Sequence, residues 1–134
     1  MIFAVIDTNV FVSSFITKNS ESPTIKVVQL VIDGVVTPLY DEDILNEYNE
    51  VLKRKKFHLD PQEIDAIIDL IKECGIPTSR TPFLESMPDE SDRIFFEIAL
   101  TVEESFLVTG NLKHYPIKPQ VVTPAEFIRL INNK

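Results

Sequence analysis

Short β-branched runs recur along the chain at intervals of helical length, and that alternation restricts the fold more than any single residue does. Ile2 to Ile6, Val35 to Leu39, SFLV at 105–108 and QVV at 120–122 read as strands, the first apolar enough to be buried on both faces. Between them, Thr8 to Ile16 is helical, and Pro23 to about Ile32 is a second helix with proline at its start and Gly34 as its stop. DEDILNEYNEVLKRKK carries Ile44, Tyr48, Val51 and Leu52 at helical spacing. DPQEIDAIIDLIKECG opens with Asp60, Pro61 and Glu63 in capping-box spacing and closes on Gly75. IPTSRTPFLESMP is a connector with room for a short edge strand, SDRIFFEIALTVEE is helical, and TPAEFIRLI is a helix with Thr123 as cap and Glu126 at its third position. Strands separated by helices imply right-handed crossovers and a parallel sheet covered on both faces. The expected fold class is α/β: a three-layer α/β/α sandwich with a mostly parallel central sheet.

Length and composition set the remaining bounds. A chain of 134 residues, 44% hydrophobic and 25% charged, suits one globular domain over residues 1–134 with a core of its own. The N-terminus has no basic region ahead of its apolar run, and Asp7 and Asn9 interrupt that run, unlike a signal peptide. No stretch reaches transmembrane length. The lone Cys74 has no partner for an internal disulfide or a thiolate zinc site and reads as a small core residue, which fits a reducing, cytoplasmic setting. A net charge of −8 opposes nonspecific binding to a nucleic-acid backbone. Acids gathered round bound cations weaken that objection, because the working surface then differs in sign from the total.

In open parallel sheets ligands bind beyond the carboxyl ends of the strands, and several acids reach that edge. Asp7 directly follows the first strand. At about 100° per residue, Glu47 lies about 60° from Ile44, on the flank of the buried face, whereas Glu42 and Glu50 point away. The helix carrying Asp92 must run antiparallel to the strand after it, so its N-terminus, with Asp89 and Asp92, returns to the same edge. Thr109, Gly110 and Asn111 follow that strand. Taken singly, each acid has an ordinary use: Asp7 as cap of the helix at Thr8, Asp89 and Asp92 as favourable charges at a helix start, Glu47 as a boundary residue. Only a metal explains why they share an edge. Gathered carboxylates repel one another and lose solvation, and oxygen donors without thiolate or histidine at ligand spacing favour Mg2+ or Mn2+. One or two such ions, about 3.5–4 Å apart if two, activate a water and stabilise the charge of an in-line phosphoryl displacement.

With these residues placed, the sequence resembles a PIN-domain ribonuclease. IDTNVFVSS is similar to that family's opening strand and first acid, EYNEVL to its helix-borne glutamate, PDESDRIFFEIAL to its aspartate-led apolar helix, and LVTGNLKHYP to its final strand and turn. The likeness runs in order from Ile2 to about Glu126. It implies a parallel sheet between helices and metal-dependent hydrolysis of RNA, with Asp7, Glu47 and Asp92 as metal-binding and catalytic acids and Asp89 as an additional one. Asn111 stands where many members carry a fourth aspartate, and its neutral amide supplies less charge for a second ion. Thr8 and Asn9 would help shape the strand end, and Thr109 would support the site by hydrogen bonding. The form with PDESD and TGNLKHYP most resembles toxins of toxin–antitoxin pairs, which implies a cognate antitoxin protein, allows a homo-oligomer and involves no membrane.

Other readings compete with this one. A PIN-fold module that binds RNA or protein with little or no catalysis fits Asn111 and the acidic total. A phosphohydrolase of the haloacid dehalogenase type, with Asp7 as nucleophile, expects a second aspartate where Asn9 stands. Grip on the substrate falls to Lys53, Arg54, Lys55 and Lys56 at the end of the Glu47 helix, and to Lys113, although cations at a helix end are ordinarily solvated. His114 has no evident ligand partner and reads as a surface residue.

Overall fold

The computed structural model describes residues 1–133. Five strands form one sheet in the order β3-β2-β1-β4-β5: β1 (Ile2–Ile6), β2 (Val36–Tyr40), β3 (Ile76–Pro77), β4 (Phe106–Val108) and β5 (Val121–Val122). Every neighbouring pair is parallel. The helices are α1 (Thr8–Ile16), α2 (Pro23–Ile32), α3 (Glu42–Leu52), α4 (Pro61–Cys74), α5 (Arg93–Thr101) and α6 (Pro124–Asn132). The crossovers from β1 to β2 and from β2 to β3 step one way across the sheet, and the return from β3 to β4 through α5 steps the other. Right-handed connections therefore put α5 on the face opposite α2 and α4, which makes the α/β/α sandwich. No helix among the described residues is long and apolar enough to cross a membrane.

The central place goes to β1, whose Ala4, Val5 and Ile6 are fully buried, as an uninterrupted apolar run between two neighbours requires. Strand order reverses between β1 and β4. The crevice at their carboxyl ends is thus the switch point at which open α/β sheets take ligands.

Glycines mark places where the chain must turn or approach closely. Gly34 takes a φ of 76°, and the following Val35 N–H donates to the Leu30 carbonyl at 3.0 Å, so α2 ends in a Schellman turn. At Gly75 a Cβ would lie 2.5 Å from the carbonyl oxygens of both Ile71 and Pro38. A glycine there lets the end of α4 pass against β2 and form the edge strand β3 in the proline-containing connector.

Several local expectations shift. The second strand lies one residue later, at Val36–Tyr40, with Val35 exposed. The Glu47 helix stops at Leu52, and Lys55–Phe57 form a separate 3-10 turn closed by His58 at φ 53°. Residues 53–56 are all basic, so the next turn of helix would have nothing to bury. The Asp92 helix is likewise shorter, Arg93–Thr101, with Glu90–Asp92 in a 3-10 turn before it. Asp60 caps α4 through the Gln62 N–H rather than that of Glu63. Cys74 is exposed, not core: the buried stripe of α4 ends at Ile71, where the helix reaches the edge of the sheet.

Candidate functional site

Asp7 extends the central ladder by one bond, its N–H donating to the Val108 carbonyl at 2.9 Å. Its backbone opens α1, yet its side chain caps nothing. The carboxylate turns instead toward β4, where Oδ2 accepts from the Thr109 hydroxyl at 2.9 Å and from the Tyr115 hydroxyl at 2.7 Å. Only 4% of the residue is exposed. Burial pushes its carboxyl above the ordinary value, and the Tyr115 and Thr109 hydroxyls, an Asn9 backbone bond and His114 pull the other way. Thr109 is the hub of this corner, also accepting from Asn9 Nδ2 at 3.4 Å and from the Asn111 N–H at 3.0 Å. Asn9 Oδ1 in turn accepts from the Gly110 N–H at 2.9 Å. The start of α1 and the turn after β4 are thereby tied together directly over the switch point.

Glu47 reaches the edge because α3 is fixed at both the cap and the middle. Asp41 caps its first turn through the Ile44 N–H at 2.9 Å. The hydroxyl of buried Tyr48 donates to the Ile6 carbonyl at the end of β1. Its ring packs edge-on against Phe11 of α1, centroids 5.0 Å apart, and at a tilt against Phe95 of α5 at 6.1 Å. This aromatic column lies across the three helices that follow Asp7, carry Glu47 and follow Asp92. Glu47 itself is half-buried, and the Thr8 hydroxyl donates to its Oε2 at 3.5 Å. Burial raises its carboxyl above the usual range, helped by the charges of Glu50 and Asp7.

The third corner is built from the connector. Arg93 holds it down, bonding Glu90 at 2.7 Å, the Glu85 carbonyl at 2.9 Å and the Phe83 carbonyl. Buried Glu97 accepts from the Phe83 N–H at 2.8 Å. Asp89 then shapes the 3-10 turn through the Ser91 N–H and hydroxyl at 3.0 and 2.6 Å, bonds that hold its carboxyl below the ordinary value. Asp92 faces the site with a side chain only 14% exposed. Burial, then the charge of Asp7, pushes it up to about 6 against the pull of His114.

His114 departs from the surface role expected of it. The 3-10 turn Leu112–His114 folds the chain back, and Nδ1 lies 2.9 Å from Asp92 Oδ2 and 3.5 Å from Asp89 Oδ2. Among the described residues, Asp89, Asp92 and His114 are the one group of three ligating side chains with donor atoms mutually within 4.8 Å. Asp7 and Glu47 stand outside that group, but Asp7 acts electrostatically on both Glu47 and Asp92. Asn111 is exposed, engaged through its backbone with Thr109 and His114. Of the cations, Lys53 is bonded to Asp65 at 2.7 Å, Arg54 to Glu50 at 3.0 Å, and Lys56 lies over the Phe57 ring. Lys113 is exposed.

Carboxylate oxygens with one imidazole suit an octahedral divalent ion, and the carboxyls of Asp7, Glu47 and Asp92 are raised first by burial, with neighbouring acids adding to the rise at Glu47 and Asp92. Asp89, Asp92 and His114 are spaced so that they could hold such an ion. Tyr115 and His114 are the residues that sequence reasoning passed over; their one signal was their position just after the Thr109 to Asn111 turn. A family model described as PIN domain matches residues 4–113, which take in Asp7, Glu47, Asp89, Asp92 and Asn111 and end just short of His114 and Tyr115. No curated protein and no solved structure matches the chain.

Proposed function

Because the chain belongs to the PIN domain family, we propose that it is a divalent-metal-dependent endoribonuclease that hydrolyses RNA phosphodiester bonds, and that it serves as the toxin of a toxin–antitoxin pair. The observation that carries the first part is the burial of Asp7 at the switch point, its carboxylate fixed by hydroxyls and facing Asp92 and Glu47. Burial disfavours the charged form of this carboxylate despite its hydroxyl donors, and a divalent ion would offset that cost.

Asp7, Glu47 and Asp92 would hold Mg2+ or Mn2+, with Asp89 beside Asp92. When bound, the ion supplies an activated water and neutralises charge on the phosphate. Thr109 and Tyr115 occupy Asp7 Oδ2 and so fix the direction in which the carboxylate presents itself. Glu47 is half-buried with its carboxyl raised by burial, so its charged form would gain from the ion. Thr8 orients Glu47, and Asn9 orients Thr109. Lys55, Lys56 and Lys113 are exposed and offer charge to the phosphate backbone, whereas Lys53 and Arg54 already have acidic partners.

The toxin role rests on the PDESD and TGNLKHYP motifs and brings with it a cognate antitoxin protein, a cytoplasmic setting and a single PIN domain over residues 1–134. A binding module without catalysis is the second reading, favoured by the exposed neutral Asn111. Incubating the purified protein with a mixed RNA pool in Mn2+, in EDTA, and as Asp7→Asn separates them. Cleavage confined to the wild type with metal supports the nuclease; RNA binding without cleavage in any metal supports the module.

A further inference from the structure

We propose, resting on the metal-dependent reading of this edge, that His114 is a direct ligand of the ion and that its nitrogen makes the site select Mn2+ over Mg2+. The argument starts from spacing. Adjacent ligands of an octahedral ion, each about 2.1 Å from the metal, lie roughly 3 Å from one another. His114 Nδ1 is hydrogen-bonded to Asp92 Oδ2 at 2.9 Å and stands 3.5 Å from Asp89 Oδ2, near two edges of one octahedral face, so an ion would take the place of the shared proton.

The meeting is not the by-product of a single turn. Asp89 and Asp92 come from the turn leading into α5, and His114 from the turn leaving β4. That second turn is anchored on both sides of His114: the Asn111 N–H donates to Thr109 Oγ1 at 3.0 Å, and Tyr115 donates to Asp7 at 2.7 Å. The His114 N–H itself donates to the Asn111 carbonyl at 3.0 Å. Two bonds to Asp7, from Thr109 and Tyr115, thus set where the imidazole between them points.

Chemistry then assigns the preference. Mg2+ takes oxygen donors and keeps its waters, whereas the divalent first-row ions accept imidazole nitrogen alongside carboxylate. Where many members of the family carry a fourth aspartate, this chain has the neutral Asn111, and it brings an imidazole to Asp92. The site so built is neutral at its third donor and discriminates by donor type rather than by charge.

The direct test is pulsed electron paramagnetic resonance of the Mn2+-loaded protein, which detects nitrogen bonded to the ion without reference to activity. The substitution His114→Asn sharpens it, because Asn Oδ1 is attached to Cγ as His Nδ1 is and puts an oxygen where the nitrogen stood. The wild type should show nitrogen hyperfine coupling. His114→Asn should still bind Mn2+ without that coupling, and its preference for Mn2+ over Mg2+ in competition titrations should fall about tenfold or more, since even outer-shell changes cost about 10–100-fold in affinity. Mn2+ bound to the wild type without nitrogen coupling, or with coupling that persists in His114→Asn, overturns the ligand role and leaves the nuclease reading standing. Failure of the wild type to bind Mn2+ at millimolar concentration overturns both. The wild-type spectrum decides the question even if the variant folds poorly.

Discussion

The two sides of the candidate site are built differently. On the Asp7 side the carboxylate is 4% exposed and gripped by Thr109 and Tyr115, residues 102 and 108 positions away in the chain. On the Asp92 side, Asp89 and His114 have side chains 39% and 40% exposed, and the Asp89 side chain is hydrogen-bonded to Ser91 of its own turn. One side is fixed by the sheet before any ligand arrives; the other is made of surface turns. Together they make a rigid reference for the ion and an adaptable side where a substrate phosphate can enter, the usual division between scaffold and loops.

Several experiments break or sharpen that contrast. The largest effect belongs to Asp92, where the sides meet. Asp92→Asn is expected to abolish Mn2+-stimulated cleavage and to weaken Mn2+ binding by more than the roughly 100-fold that outer-shell changes cost, read by calorimetric titration. Next, Tyr115→Phe removes one hydroxyl from Asp7 and keeps the ring that packs near Phe96. It should weaken Mn2+ about 10–100-fold, whereas Ser91→Ala on the exposed side should change affinity by less than about threefold. Equal losses from the two would erase the distinction between a preorganised side and an adaptable one.

A smaller, graded effect follows from protonation. Asp92 is raised from 3.8 to about 6, so between those values the folded chain binds more protons than the unfolded one, and stability falls as pH rises through the window. In the metal-free protein the cost is complete above the folded value and vanishes in acid. The urea midpoint of Asp92→Asn should therefore exceed that of the wild type near about pH 7.5 and converge with it near about pH 4. Mn2+ affinity should run the opposite way, falling as protons compete below about pH 6. The smallest effect is expected from reversing the charges of Lys53 and Arg54, which already have acidic partners. RNA affinity and its salt slope should change little, and a loss of several units of slope would assign that segment to the substrate after all.

The contrast also explains what could be read from the sequence. Asp7, Glu47 and Asp92 were legible because each is locked to a periodic element: the end of a central strand, the flank of an amphipathic helix, the start of an apolar one. Periodicity fixes where such residues go before any contact is known. His114 and Tyr115 were not legible, because they stand in an irregular turn whose course depends on bonds to Thr109 and Asp7, more than a hundred residues of chain apart in the latter case. The end of α3 at Leu52 and the exposure of Cys74 were missed for a related reason. Helical spacing says which face a residue shares but not where the neighbouring layer stops.

The central claim, that both sides of this edge close on one ion, is tested most directly by soaking crystals of the protein in Mn2+ and mapping its anomalous scattering. A peak touching Asp92 and facing Asp7 at the carboxyl ends of β1 and β4 is the expected result. Saturating Mn2+ with no peak at that edge, or with peaks only at surface carboxylates elsewhere, would contradict it.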